Sequence, residues 1–101
     1  MSSIRTATAT SVISVKHCVI FGITASSVVD PASPPTAELT IEIRDSVAAD
    51  GSGDLVAVMV VLPQSDMKQL LFPAGARCSK GVAVNMTLNG HTNVAVCVDL
   101  G

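Results

Sequence analysis

The chain has 101 residues, enough for one domain and too few for two, with a net charge of −2, 49% hydrophobic residues and only 14% charged ones. It has no basic cluster, no Trp or Tyr and only two Phe, so the positive charge and stacking rings that nucleic-acid binding draws on are missing, and a sugar site loses its usual aromatic platform. The longest apolar run, residues 55–62, is too short to cross a bilayer as a helix, so neither nucleic acid nor membrane is an expected partner.

Residues 1–10 are polar and rich in Ala, Thr and Ser, without the apolar stretch of a secretory signal. They read as a flexible arm ahead of a single domain over residues 11–101. Residues 11–25 read as one β-branched strand with Val15, Val19, Phe21 and Ile23 on one face, and Gly22 marks a bulge or a close backbone approach. Residues 26–36 form a loop, because Pro31, Pro34 and Pro35 cannot donate to a ladder.

Residues 37–45 give the clearest strand: Leu39, Ile41 and Ile43 alternate with Glu38, Thr40, Glu42 and Arg44, one face buried and one wet. The Gly/Asp/Ser stretch 46–54 is a turn region. Residues 55–62 are apolar on both parities, which predicts a strand covered on both faces. Residues 69–72 make a short strand that Pro73-Ala74-Gly75 stops at a corner. Residues 78–88 and 92–100 then form a hairpin. Val82, Val84 and Met86 share a face with Val94, Val96 and Val98 only if the loop has an odd length or a bulge. No segment carries a sustained helical stripe; the best candidate, 65–71, is barely two turns. The fold class is all-β, an antiparallel β-sandwich or small barrel of six or seven strands, immunoglobulin-like or jelly-roll-like.

Chemistry-bearing residues are sparse. Asp50, Ser52 and Asp54 space oxygens like the start of a calcium loop, but Leu55 and Val61 stand where its glycine and glutamate belong, so a plain turn is favoured. His17 and Cys18 are adjacent and would point to opposite faces of a strand, which works against a zinc site with Cys78, His91 and Cys97. Surface imidazoles and free, mostly buried thiols are the alternative, since three cysteines are odd and lack CxxC spacing. A Cys–His nucleophile has neither an oxyanion loop nor an orienting carboxylate. No catalytic, cofactor-binding or metal residue is assigned, and the chain reads as a non-enzyme. Its apolar excess points instead to a protein partner or to a homo-oligomer. Phe72 and Arg77 are residue types enriched at interfaces. Arg5 on the arm and Pro31, Pro34 and Pro35 on the stiffened loop are the other candidate contacts, the arm by extending along a neighbour's sheet edge.

The stretch Leu71-Phe72-Pro73-Ala74-Gly75-Ala76-Arg77-Cys78-Ser79-Lys80-Gly81-Val82-Ala83-Val84, followed by Gly90 and Val94-Ala95-Val96, resembles small virion proteins of tailed bacteriophages. The Ser/Thr-rich start, the strand around Gly22 and the alternating Leu39-Thr40-Ile41-Glu42-Ile43 are similar too. Cys78 stands where such sequences often have an aromatic, and the proline loop is longer. The resemblance implies a β-sandwich carried in many copies on the capsid surface of a virion after synthesis in the host cytoplasm. The implied role is that of a capsid decoration or cement protein binding major capsid subunits or other virion proteins. The alternative is a receptor- or glycan-binding module of a head fibre or tail spike.

Overall fold

Every regular element in the computed structural model, which describes residues 3–28, 35–63 and 67–101, is a β-strand. The strands are β1 (Ser3–Ala7), β2 (Ser11–Ser14), β3 (Cys18–Val28), β4 (Leu39–Asp45), β5 (Asp54–Val61), β6 (Met67–Cys78), β7 (Val82–Thr87) and β8 (Thr92–Leu100). They form two four-stranded sheets, in the orders β1-β8-β3-β6 and β2-β7-β4-β5. All pairings are antiparallel. The first strand pairs with the last, the second with the last but one, β3 with β6 and β4 with β5. The chain is therefore one long hairpin rolled over on itself, which is the jelly-roll arrangement of a β-sandwich. An immunoglobulin-like order, with its sheets of four and three strands, does not fit.

Eight strands replace the expected six or seven because two expected units are divided. Residues 11–25 are not one strand. The chain leaves the second sheet after β2, turns at the exposed Val15, Lys16 and His17, and enters the first sheet as β3. Ser14 Oγ accepts the Lys16 N–H at 3.3 Å and fixes that corner. Likewise β7 and β8 do not pair with each other but lie in opposite sheets. Their connection is a tight turn closed by His91 N–H to Leu88 O at 2.9 Å, with positive φ at Asn89 and Gly90. Val82, Val84, Val94, Val96 and Val98 are all buried, on the faces that parity predicts. The expected hairpin partner is not found, because parity tells which way a side chain points and not which strand lies alongside.

Residues 1–10, expected as an arm, hold β1, whose main chain pairs with β8 from Ser3↔Leu100 to Ala7↔Val96. Its side chains are exposed except Ala7, so an edge strand needs little apolar content when main-chain bonds hold it. One side of its main chain is paired within this chain, and the other is a sheet edge.

The core lies between the sheets and is almost wholly aliphatic. Ile20, Ile23, Leu39, Ile41, Ile43, Val61, Val82, Val84, Val96 and Val98 are fully buried. On β4 the alternation is as expected, with Thr40, Glu42 and Arg44 on the outer face. On β3 a bulge at Phe21 shifts the register toward both neighbours. It turns Ile20 and Ile23 inward and leaves Phe21 outside, so the expected face of Val15, Val19, Phe21 and Ile23 is broken there. Strand β6 runs through Pro73 as a bulged edge strand. Ala76 pairs with Ile20 and Leu71 with Gly22, so the intervening Phe72–Gly75 stretch faces the bulge of β3 instead of forming a corner between strands. Proline is tolerated there because one side of an edge strand makes no ladder.

Candidate protein-interaction surface

The outer face of the first sheet is built by register. Ile4 on β1 pairs with Asp99 on β8, Asp99 with Gly22 on β3, and Gly22 with Leu71 on β6, one row across four strands. Ile4 is 70% exposed and Leu71 61%, and Phe21 beside the row is 40% exposed. Gly22 has no side chain to fill the middle; a Cβ there would sit 3.2 Å from Leu71 Cδ2. The result is a shallow trough of about 230 Å³ with Thr24, Gln69 and Cys97 in the next row. Asp99 closes its floor, and its Oδ1 is sealed from solvent with no hydrogen-bond donor. An orphaned carboxylate oxygen under apolar rims is expensive for the free chain.

The patch continues over one side of the sandwich. Edge strands β5 and β6 run past each other there and enclose a groove of about 360 Å³ lined by Val58, Leu62, Lys68, Gln69 and Leu70. Gln69 borders both depressions. The prediction that residues 55–62 are covered on both faces is corrected. β5 is an edge strand whose inner face holds Met59 and Val61, while Val58 (45%) and Leu62 (46%) are exposed. Apolar content on both parities means a covered outer face only when something lies over it, and within this chain nothing described does so for Val58.

The sequence-derived contact residues do not gather on one patch. Arg5 is exposed on β1, by a seam with Val12, Val15 and Lys16 of the β2 side. Arg77 is exposed on β6, the opposite edge of the same sheet. Phe72 packs against the core and is half-buried. Pro35 is half-buried beside the β7–β8 turn, where a Cβ on Gly90 would come 3.7 Å from its Cα. Pro31 and Pro34 lie outside the described residues. Sequence reasoning missed Ile4, Phe21, Leu71 and Asp99. A signal existed for two of them: Ile4 is a lone large apolar residue in a polar segment, and Asp99 has outward parity next to Val94, Val96 and Val98.

The remaining polar clusters hold the fold. Asp45 at the end of β4 accepts Ser79 N–H at 2.9 Å, Ser79 Oγ–H at 3.0 Å, Lys80 N–H at 2.8 Å and Gly81 N–H at 3.3 Å. These bonds, the one from Lys80 N–H first, pull its carboxyl down to about 2. The clamp ties the β6–β7 turn to β4, and so one sheet to the other. Gly81 is required at that turn because any side chain would run into the Ser14 carbonyl. In the β4–β5 connection Asp50 accepts Ser52 N–H at 2.9 Å and also the Ser52 hydroxyl, which holds its carboxyl below the ordinary range. This is the turn expected of that segment. Among the described residues no three His, Cys, Asp or Glu side chains gather closely enough to hold a metal ion.

His91, expected at the surface, is buried. Its Nε2 lies 2.8 Å from Ala37 O, and a carbonyl only accepts, so Nε2 carries the proton. Nδ1 then accepts from Ser27 Oγ at 3.1 Å in the neutral ring. Both nitrogens are engaged in anchoring the β7–β8 turn. Burial, with Cys18 beside it, raises the Cys78 thiol to about 11, far from a ready nucleophile. No protein family, curated protein or solved structure matches this chain.

Proposed function

We propose that this chain is a non-enzymatic structural protein that works by packing against other protein surfaces, most concretely as a capsid decoration protein of a virion. One observation carries the reading: the apolar row of Ile4, Phe21 and Leu71 around the Asp99 oxygen that finds no donor among the described residues, on a sheet face that none of the described residues covers. A 101-residue chain that leaves such side chains outside has surface suited to a partner. The jelly roll adds support by analogy of fold, since viral capsid domains use it, although lectins and cupins do as well.

The experiment is an image of the native particle from the source of the chain. Many symmetric copies, with the outer face of β1-β8-β3-β6 against the shell, are expected. Absence from the particle contradicts the virion reading. Copies on a fibre or spike, together with glycan-array binding by the purified protein, would replace it with a receptor-binding role.

A further inference from the structure

Strands β3 and β6 set Cys18 directly opposite Cys78. Both side chains are buried, both thiols are free, and the Cys18 thiol is within hydrogen-bonding reach of Cys78. Facing residues of an antiparallel pair have Cα atoms about 4.5 or 5.5 Å apart, depending on the pair type. Both separations fall within the roughly 4.4–6.8 Å that a disulfide spans. Cys97 cannot compete: it lies on the outer face among Thr24 and Asp99, its Sγ 3.6 Å from Thr6 Oγ1. The odd cysteine count thus divides into an inward pair and an outward single residue.

We propose that Cys18 and Cys78 form a site of reversible oxidation, closing to an intrachain disulfide when a low-molecular-weight disulfide such as glutathione disulfide is present. Cys18 reacts first. It opens β3 just after the exposed corner of Val15, Lys16 and His17, where strand ends open most easily, and it is the less completely buried of the two. Its thiolate attacks one sulfur of the external disulfide, a protein–glutathione bond forms and one glutathione thiolate leaves. Cys78, giving its proton to that thiolate, then attacks the Cys18 sulfur and expels the second glutathione. Two protein thiols lose two electrons and two protons, and one external disulfide becomes two thiols. The high pKa of Cys78 makes the second step the slow one. The product staples β6, an edge strand paired only with β3, to the middle of its sheet.

The test uses the folded full chain, treated with glutathione disulfide, quenched with an alkylating agent and counted for thiols in denaturant. The count is expected to fall from three to one, with a Cys18–Cys78 linked peptide in the mass spectrum. C97S should give the same linked peptide and no remaining thiol. Three thiols remaining in the folded protein, under conditions where the urea-unfolded chain is oxidised, would overturn the proposal. So would a linkage that includes Cys97 or joins two chains.

Discussion

Asp45 and Asp99 bring the same carboxylate into opposite situations. Asp45 stands where β4 ends, and four donors from Ser79, Lys80 and Gly81 converge on its two oxygens. Asp99 stands mid-sheet on β8, and its sealed Oδ1 meets no donor among the described residues. The first is fully used in joining the sheets. The second is left over by the fold, and its neighbours Ile4, Phe21 and Leu71 are also left over, exposed where a core residue would be covered. On the proposed function, the difference separates residues that make this molecule from residues that let it meet another.

The largest single effect is expected at the clamp. Asp45→Ala removes four bonds to an ionised acceptor and should lower stability by about 1–2 kcal/mol, less than four buried bonds would give because the site is partly wet. A lowered urea midpoint with an unchanged slope checks it. The same clamp sets an acid dependence. The folded carboxyl titrates at about 2, below its ordinary value of 3.8, so its contribution is present above the ordinary value and is lost as pH falls through about 2. Asp45→Asn should therefore flatten the fall in stability between pH 4 and pH 2, measured by urea unfolding at each pH. Asp50 is shifted in the same direction and should leave a residual slope.

At Asp99 the sign should reverse. Asp99→Leu removes a sealed, donorless oxygen and is expected to leave stability unchanged or raise it by up to about 1 kcal/mol, while weakening association. A loss of stability comparable to that of Asp45→Ala would mean that both carboxylates serve the fold. The smallest effect is expected at Gly22. Its added Cβ in Gly22→Ala meets the flexible end of Leu71 at 3.2 Å and the Leu70 carbonyl at an ordinary 3.7 Å, so a cost of roughly 0.5 kcal/mol is expected in thermal unfolding, together with a shallower trough.

How much of this was legible in the sequence follows from the range of each interaction. The alternation over β4 is local, and the structure keeps it residue by residue from Leu39 to Ile43. The bulge near Gly22 was legible too, but its consequence was not: one extra residue at Phe21 reverses the parity of everything after it. Val82 and Val84, like Val94, Val96 and Val98, face inward as their parity predicts, yet the two sets belong to opposite sheets, because a tight turn with Asn89-Gly90 serves a crossing as well as a hairpin. β1 was unreadable, since main-chain pairing with β8 leaves no pattern in side chains that stay exposed. The trough is the least legible feature. Ile4, Asp99, Gly22 and Leu71 become neighbours only through the register of strands from both ends of the chain. Asp45, in contrast, reads as an ordinary strand-end aspartate, and only the approach of the β6–β7 turn makes it a clamp.

The central claim is that the outer face of the first sheet is where this protein meets another. It is tested most directly by comparing the wild type with the double variant I4D/L71D for binding to the virion shell that the proposed function assigns as its partner, with the urea midpoint measured alongside. Both side chains are exposed in the free chain, so the unfolding free energy should stay within about 0.5 kcal/mol of wild type. Losing two buried apolar contacts should reduce the affinity by at least about tenfold. Equal occupancy at an unchanged midpoint would contradict the account and move the interface off this face.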